Sequence, residues 1–219
     1  MTESEAREEI CRVGRSLFHR GYVHGTAGNI SVRLGDGFLI TPTDACLGFL
    51  DAGSLSRVDE QGRALGGARA SKTLALHRAI YEATGHTDAP ARCVIHTHST
   101  HCVALSLRST GGDLLPPITP YFVMKVGHVP LLAYRRPGAP ETAEALGQVI
   151  ADHARAGRTL RAVMLARLGP NVWHHSPAAA MAVLEELEET ARLALLAPST
   201  PPLSESQIDE LRRSFGASW

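Results

Sequence analysis

From about Glu3 to Arg20, apolar Ala6, Ile10, Val13, Leu17 and Phe18 recur at three- and four-residue steps, which predicts one buried side of a helix. Gly21 ends it. The small residues of Gly25 to Arg33 lead into a strand, and Phe38 to Pro42 reads as its return, with Asp36-Gly37 as the hairpin turn. A polar stretch rich in Gly and Ala follows, without a period. Ser71 then caps a helix running to about Thr84, with Leu74, His77, Ile80 and Tyr81 on one side. Cys93 to His98 predicts a strand and Cys102 to Leu107 a helix. Pro116 to Met124 and Val129 to Tyr134 predict short extended segments separated by Gly127-His128. Pro140 opens a helix to about Ala156, with Glu141 and Glu144 early, where the helix dipole favours carboxylates. Arg161 to Arg167 is an apolar strand ending at Gly169-Pro170, and Ser176-Pro177 starts a long helix to Leu196. Beyond the break at Pro198 to Pro202, Glu205 to Phe215 forms a short amphipathic helix that docks on the body or on a neighbouring subunit.

Strands mix with helices without strict alternation, so the expected class is α/β (α+β), helices sandwiching a mostly antiparallel sheet. No composition shift divides the chain. One domain is expected over residues 1–197, followed by a Pro-rich turn and a C-terminal helix over 198–219.

Charge narrows the partners. The 22 basic and 22 acidic side chains balance, and aromatic residues make up only 5%. Neither a field for nucleic acid or an anionic membrane nor a base-stacking surface follows from that. The N-terminal residues lack a signal-peptide pattern and no apolar run approaches a membrane span, so a cytoplasmic protein with a small-molecule partner is expected. Cys11, Cys46, Cys93 and Cys102 have no CxxC spacing and read as buried free thiols. Walker and dinucleotide fingerprints are missing from the sequence, which argues against a nucleotide cofactor.

The chemistry gathers at Cys93-Val-Ile-His-Thr-His-Ser-Thr-His101. On a strand, His96 and His98 fall on the same face, where two imidazoles can share a zinc, manganese or iron ion. A catalytic zinc normally takes three protein ligands, so the pair alone is incomplete. Asp44, His101, His128, His174 and His175 are the candidates for a third ligand. His77, on an apolar helix face, reads as structural.

Four segments in order, Gly25-Thr-Ala-Gly-Asn-Ile-Ser31, Thr41-Pro-Thr43, the Ser71-to-Tyr81 helix and Val94-Ile-His-Thr-His-Ser99, resemble the class II aldolase/adducin family over about residues 5 to 197. Thr119-Pro-Tyr121, Gly127 to Pro130 and Tyr134 to Gly138 look most like its 3-oxo-tetronate 4-phosphate decarboxylase branch. The resemblance implies a class II aldolase-like α/β/α sandwich and a homotetramer with sites at subunit boundaries. It implies a divalent metal on His96, His98 and a third histidine, polarising a carbonyl and stabilising an enediolate. Asn29, Thr43, Ser71 and Lys72 match the family's anion cradle, where backbone N–H groups, hydroxyls and a cation receive a small acidic substrate. Tyr121 and Tyr134 are candidates to protonate a carbanion or orient substrate, and Arg135 and Arg136 to meet a carboxylate.

Three positions depart from the family pattern. Thr73 stands where the family has an acid/base glutamate, Leu168 where it has the third metal histidine, and Asp44 where a glycine contacts phosphate. A threonine does not exchange protons near neutral pH as a carboxylate does, and leucine binds no metal. Asp44 is either a new general base or the partner of Lys72 or an arginine. Three readings follow. The first is a carbon–carbon lyase on a small oxygenated acid, by 3-oxo-acid decarboxylation or aldol-type cleavage. The second is a metal-free enzyme using enolate acid/base chemistry, such as dehydration, isomerisation or cyclisation. The third is a non-catalytic binding protein like adducin.

Overall fold

A computed structural model describes residues 1–109 and 111–219. Helix α1, Glu3–His19, starts with a capping box: Thr2 Oγ1 accepts from the Glu5 N–H while the Glu5 carboxylate accepts from the Thr2 N–H at 2.7 Å. Its expected apolar stripe, Ala6, Ile10, Val13 and Leu17, is buried. Strands β1 (Asn29–Leu34), β2 (Gly37–Ile40), β3 (Ser56–Val58), β4 (Ala64–Gly66), β5 (Cys93–His96), β6 (Leu131–Leu132), β7 (Ala162–Leu165) and β8 (Gly169–His174) form one sheet in the order β4-β3-β2-β1-β5-β8-β7-β6. Every pairing is antiparallel except β6 with β7. The sheet is therefore mostly antiparallel, as expected.

Alternation sorts the two faces. Ile30, Val32, Leu39, Cys93, Ile95, Ala162, Met164 and Val172 point to one core, shared with α1 and with residues of α3 (Thr100–Ser106), α4 (Pro120–Lys125) and α6 (Pro177–Leu196). Phe38, Val94, Val163 and Trp173 point the other way, against Ile80 and Tyr81 of α2 (Leu74–Thr84) and Leu146 and Ile150 of α5 (Pro140–Arg155). The result is an α/β/α sandwich. Asn29, Ser31, His96 and Asn171 fall, by the same alternation, on the α2/α5 side.

Several boundaries differ from the sequence reading. Leu34 pairs with Gly37, so the hairpin turn is Gly35-Asp36 rather than Asp36-Gly37. Gly37 is already in the strand, where a Cβ would meet Val58 O at 2.2 Å. β3 and β4 arise in the stretch that had no period, because three-residue strands are too short to display one. The α2 helix starts at Leu74, and Ser71 is not its cap; its Oγ lies 2.9 Å from Thr73 Oγ1. Pro116 to Met124 was expected to be extended, yet α4 forms there, since Thr119 Oγ1 accepts from the Phe122 N–H and Pro120 takes the first helical position. β8 went unforeseen; the strand expected to end at Gly169-Pro170 stops at Leu165, turns, and returns. The final helix, α7 (Glu205–Phe215), packs by Ile208 and beside α4, while Trp219 stacks on His128 with ring centroids 4.3 Å apart. Among the described residues no helix is long and apolar enough to cross a membrane.

Candidate active site

A cleft of about 430 Å³ opens where the loop before β1, the segment after β2, the start of α2, the end of β5 and the start of α5 meet. Its wall includes Asn29, Thr43, Asp44, Ser71, Lys72, Thr73, His96, His98, Arg136 and Leu168. The backbone explains the gathering. Thr43 N–H donates to Arg69 O at 2.9 Å and Ser71 N–H to Thr41 O at 3.2 Å, so residues 41–43 lie alongside 69–71. That pairing sets Thr43 and Asp44 beside Ser71 and Lys72. Gly28, at φ +85°, lets the preceding loop lie on β5: a Cβ there would meet Val23 Cγ1 at 2.8 Å and His96 O at 2.9 Å.

His96 ends β5, opposite Asn29 on one neighbouring strand and Asn171 on the other. Its Nδ1–H donates to Pro170 O at 3.0 Å, which fixes the tautomer and leaves the Nε2 lone pair free. Burial, reinforced by His98, pushes its pKa down to about 4, so the ring is neutral at pH 7. His98 lies past the strand end, yet its ring centroid stands 5.1 Å from that of His96. Two imidazoles on one tetrahedral zinc, with nitrogens at about 2.1 Å, put their centroids about 5 Å apart. Burial, then His24, lowers the His98 pKa as well. His24 is the histidine the sequence reading passed over: its ring centroid lies 6.4 Å from that of His98. Its place just before the Gly25-to-Gly28 loop was the only sequence signal.

Behind the cleft, Ser31 Oγ and His77 Nδ1 share a hydrogen bond at 2.7 Å, and the Tyr81 hydroxyl donates to Ser31 O at 3.0 Å. His77 is structural, as expected, and burial pushes its pKa down to about 3. Its Nε2, Asn29 Oδ1, both polar side-chain atoms of Asn171, and Trp173 Nε1 are buried without a protein partner. Groups in that state are ordinarily satisfied by ordered water or ligand.

The remaining candidates lie elsewhere. Tyr121, on α4, is 61% exposed, and Tyr134, beyond β6, is 56% exposed; neither lines the cleft. The turn of α4 carries Tyr121 outward. His101 Nδ1 pairs with Glu188 at 2.8 Å, and His128 with Asp113 at 2.5 Å. His174 pairs with Cys93, at the end of β5 opposite His96, and His175 follows it. Of the proposed third ligands only Asp44 reaches the cleft. Among the described residues no three His, Cys, Asp or Glu side chains are gathered to hold a metal ion. Cys93 and Cys102 are buried thiols as expected, whereas Cys11 and Cys46 are only half-buried.

Residues 8–195 match the class II aldolase and adducin N-terminal domain family. A 3-oxo-tetronate 4-phosphate decarboxylase of Cupriavidus necator is 50% identical over all of this chain and 99% of its own length. The crystal structure of YgbL from Escherichia coli, 40% identical, superposes with a TM-score of 0.86 over 96% of this chain and 99% of its own. An L-fuculose 1-phosphate aldolase at 24% identity shares the fold, with a TM-score of 0.81 over 99% of this chain and 98% of its own.

Proposed function

The chain belongs to the class II aldolase and adducin family, and from that membership we propose that it is a lyase that decarboxylates a small 3-oxo acid. The observation that carries the reading is the His96–His98 pair on the cleft wall, with His96 locked by Pro170, in a chain whose full-length relatives are named decarboxylases.

Class II aldolases use a divalent metal as electrophile, and here the donors make only part of such a site. His96 and His98 suit a metal in spacing and tautomer. Leu168 offers no donor where a third is needed, and Thr73 offers a hydroxyl in place of a carboxylate.

The chain's own groups account for binding and charge. Lys72 and Arg136 attract the acid into the cleft. Loss of carbon dioxide from a 3-oxo acid moves the electron pair of the broken C–C bond toward the neighbouring carbonyl, leaving an enolate. Charge forming on that oxygen is stabilised by N–H donors and cations fixed in advance. The neutral His98 ring supplies an N–H donor. His96, whose Nδ1–H is committed to Pro170, accepts at Nε2 from a substrate hydroxyl. A proton taken from water by the enolate carbon completes the turnover. Tyr121 and Tyr134, both exposed, serve a neighbouring subunit in the homotetramer that this reading carries with it, in the cytoplasm.

The test is release of carbon dioxide from freshly generated 3-oxo-tetronate and from its 4-phosphate. Turnover lost in both His96→Ala and His98→Ala is the expected result. Full turnover in both variants, or none in the native chain with either substrate, removes the proposal.

A further inference from the structure

This inference rests on the lyase reading and concerns what the cleft binds besides a carboxylate. Asp44 sits at φ +58°, in the left-handed region that, after glycine, aspartate and asparagine enter most readily. Its side chain lines the cleft next to Thr43, and the pairing of 41–43 with 69–71 brings it toward Ser71 and Lys72. Among the described residues Asp44 makes no side-chain hydrogen bond or ion pair. An ionised carboxylate only accepts hydrogen bonds. Asn29 adds a second acceptor: the residue is 6% exposed and lines the cleft, and its Oδ1 is buried without a partner.

Asp44 is exposed on the cleft wall, so a ligand donor can take the place of water at its carboxylate. A substrate hydroxyl is a donor; a phosphate dianion offers acceptors alone and carries the same sign of charge as Asp44. Asp44 shares the cleft wall with the cations Lys72 and Arg136, and a phosphate monoester would bring about two more negative charges against its carboxylate near neutral pH. The substrate named for the Cupriavidus necator relative carries a phosphate as well as a carboxylate.

We propose that this cleft takes an unphosphorylated 3-oxo sugar acid, its carboxylate held by Lys72 and Arg136 and its chain hydroxyls donating to Asp44 and Asn29. Asp44 is the residue that sets this specificity.

Isothermal titration of the full chain with erythronate and with erythronate 4-phosphate tests it. The native protein is expected to bind erythronate at least tenfold more tightly. Asp44→Asn removes the charge and keeps a side chain suited to positive φ, and it should shift the ratio toward the phosphate ester by at least tenfold. Asp44→Gly, relaxed at the same φ, should do likewise. A native preference for the phosphate ester, or a ratio unmoved in both variants, overturns this inference and leaves the lyase reading standing. Binding of neither acid by the native chain, with no release of carbon dioxide, overturns both.

Discussion

Gly169 is where the fold and the site are most tightly joined. It opens β8 at φ +145°, and a Cβ placed there falls 1.9 Å from Thr97 O, 3.0 Å from Thr97 C and 3.2 Å from His98 Cα. All three obstacles are backbone, so no side chain can swing away. Gly169→Ala must therefore move the β7–β8 turn off the end of β5. A residue held at such a φ costs about 1–3 kcal/mol, and forcing extra volume into packed backbone costs about 1–3 kcal/mol more. The expected loss is about 2–6 kcal/mol; at about 2–4 °C per kcal/mol for a chain of this size, Tm falls by about 4–24 °C. The same movement pulls Pro170 O from His96 Nδ1 and so frees the ring. Thermal melting, with urea titration as the second measure, reads the effect. Gly147→Ala is the control, since a Cβ there meets nothing within 4 Å inside α5; a gain of about 0.5–1 kcal/mol is expected. A melting point for Gly169→Ala within about 3 °C of the native value, less than the smallest expected fall, would refute the argument.

Glu188, 3% exposed, takes the His101 and Cys102 backbone N–H groups and the His101 ring at the start of α3. Glu188→Ala strands those donors and should cost about 2–4 kcal/mol in urea unfolding, whereas a loss under about 1 kcal/mol would show that α3 does not depend on this cap. Acid should destabilise the protein in a defined window. His77 and His96 have folded pKa values of about 3 and about 4, below the unfolded value near 6.5, so between these limits the unfolded state binds protons that the folded state refuses. Stability should fall as pH drops from about 6.5 toward 4 and be insensitive to these groups above pH 7; equal urea midpoints at pH 7, 6 and 5 would contradict both assignments. Leu168→His adds a third imidazole to the wall that holds His96 and His98. After loading with zinc and desalting, elemental analysis should find near-stoichiometric metal in this variant and less in the native chain, and no difference would mean that position 168 does not face the pair.

The sequence by itself determined the layers and the chemistry of the pair. The stripe of α1 and the one-sided spacing of α2 marked which of their side chains turn inward, and the strand period brought His96 and His98 forward together, because a strand or helix presents its faces by period alone. The family resemblance carried by the order of the motifs put Asn29, Ser71 and Lys72 forward as candidates, and all three lie on the cleft wall. The tertiary structure decided the rest. Asp44 shares the cleft wall with Lys72 only because residues 41–43 pair with 69–71, a contact between segments nearly thirty positions apart. His24 comes beside His98 only because the Gly28 loop lies on β5. Pro170 orients His96 across a strand that no period announced. Tyr121 and Tyr134, with motifs as suggestive as that of Asn29, face outward, since Thr119 and Pro120 start a helix where an extended segment was expected. Periodicity records which face a residue occupies on its own element. Which elements meet is settled by long-range pairing and close packing, and these leave no regular mark in the local sequence.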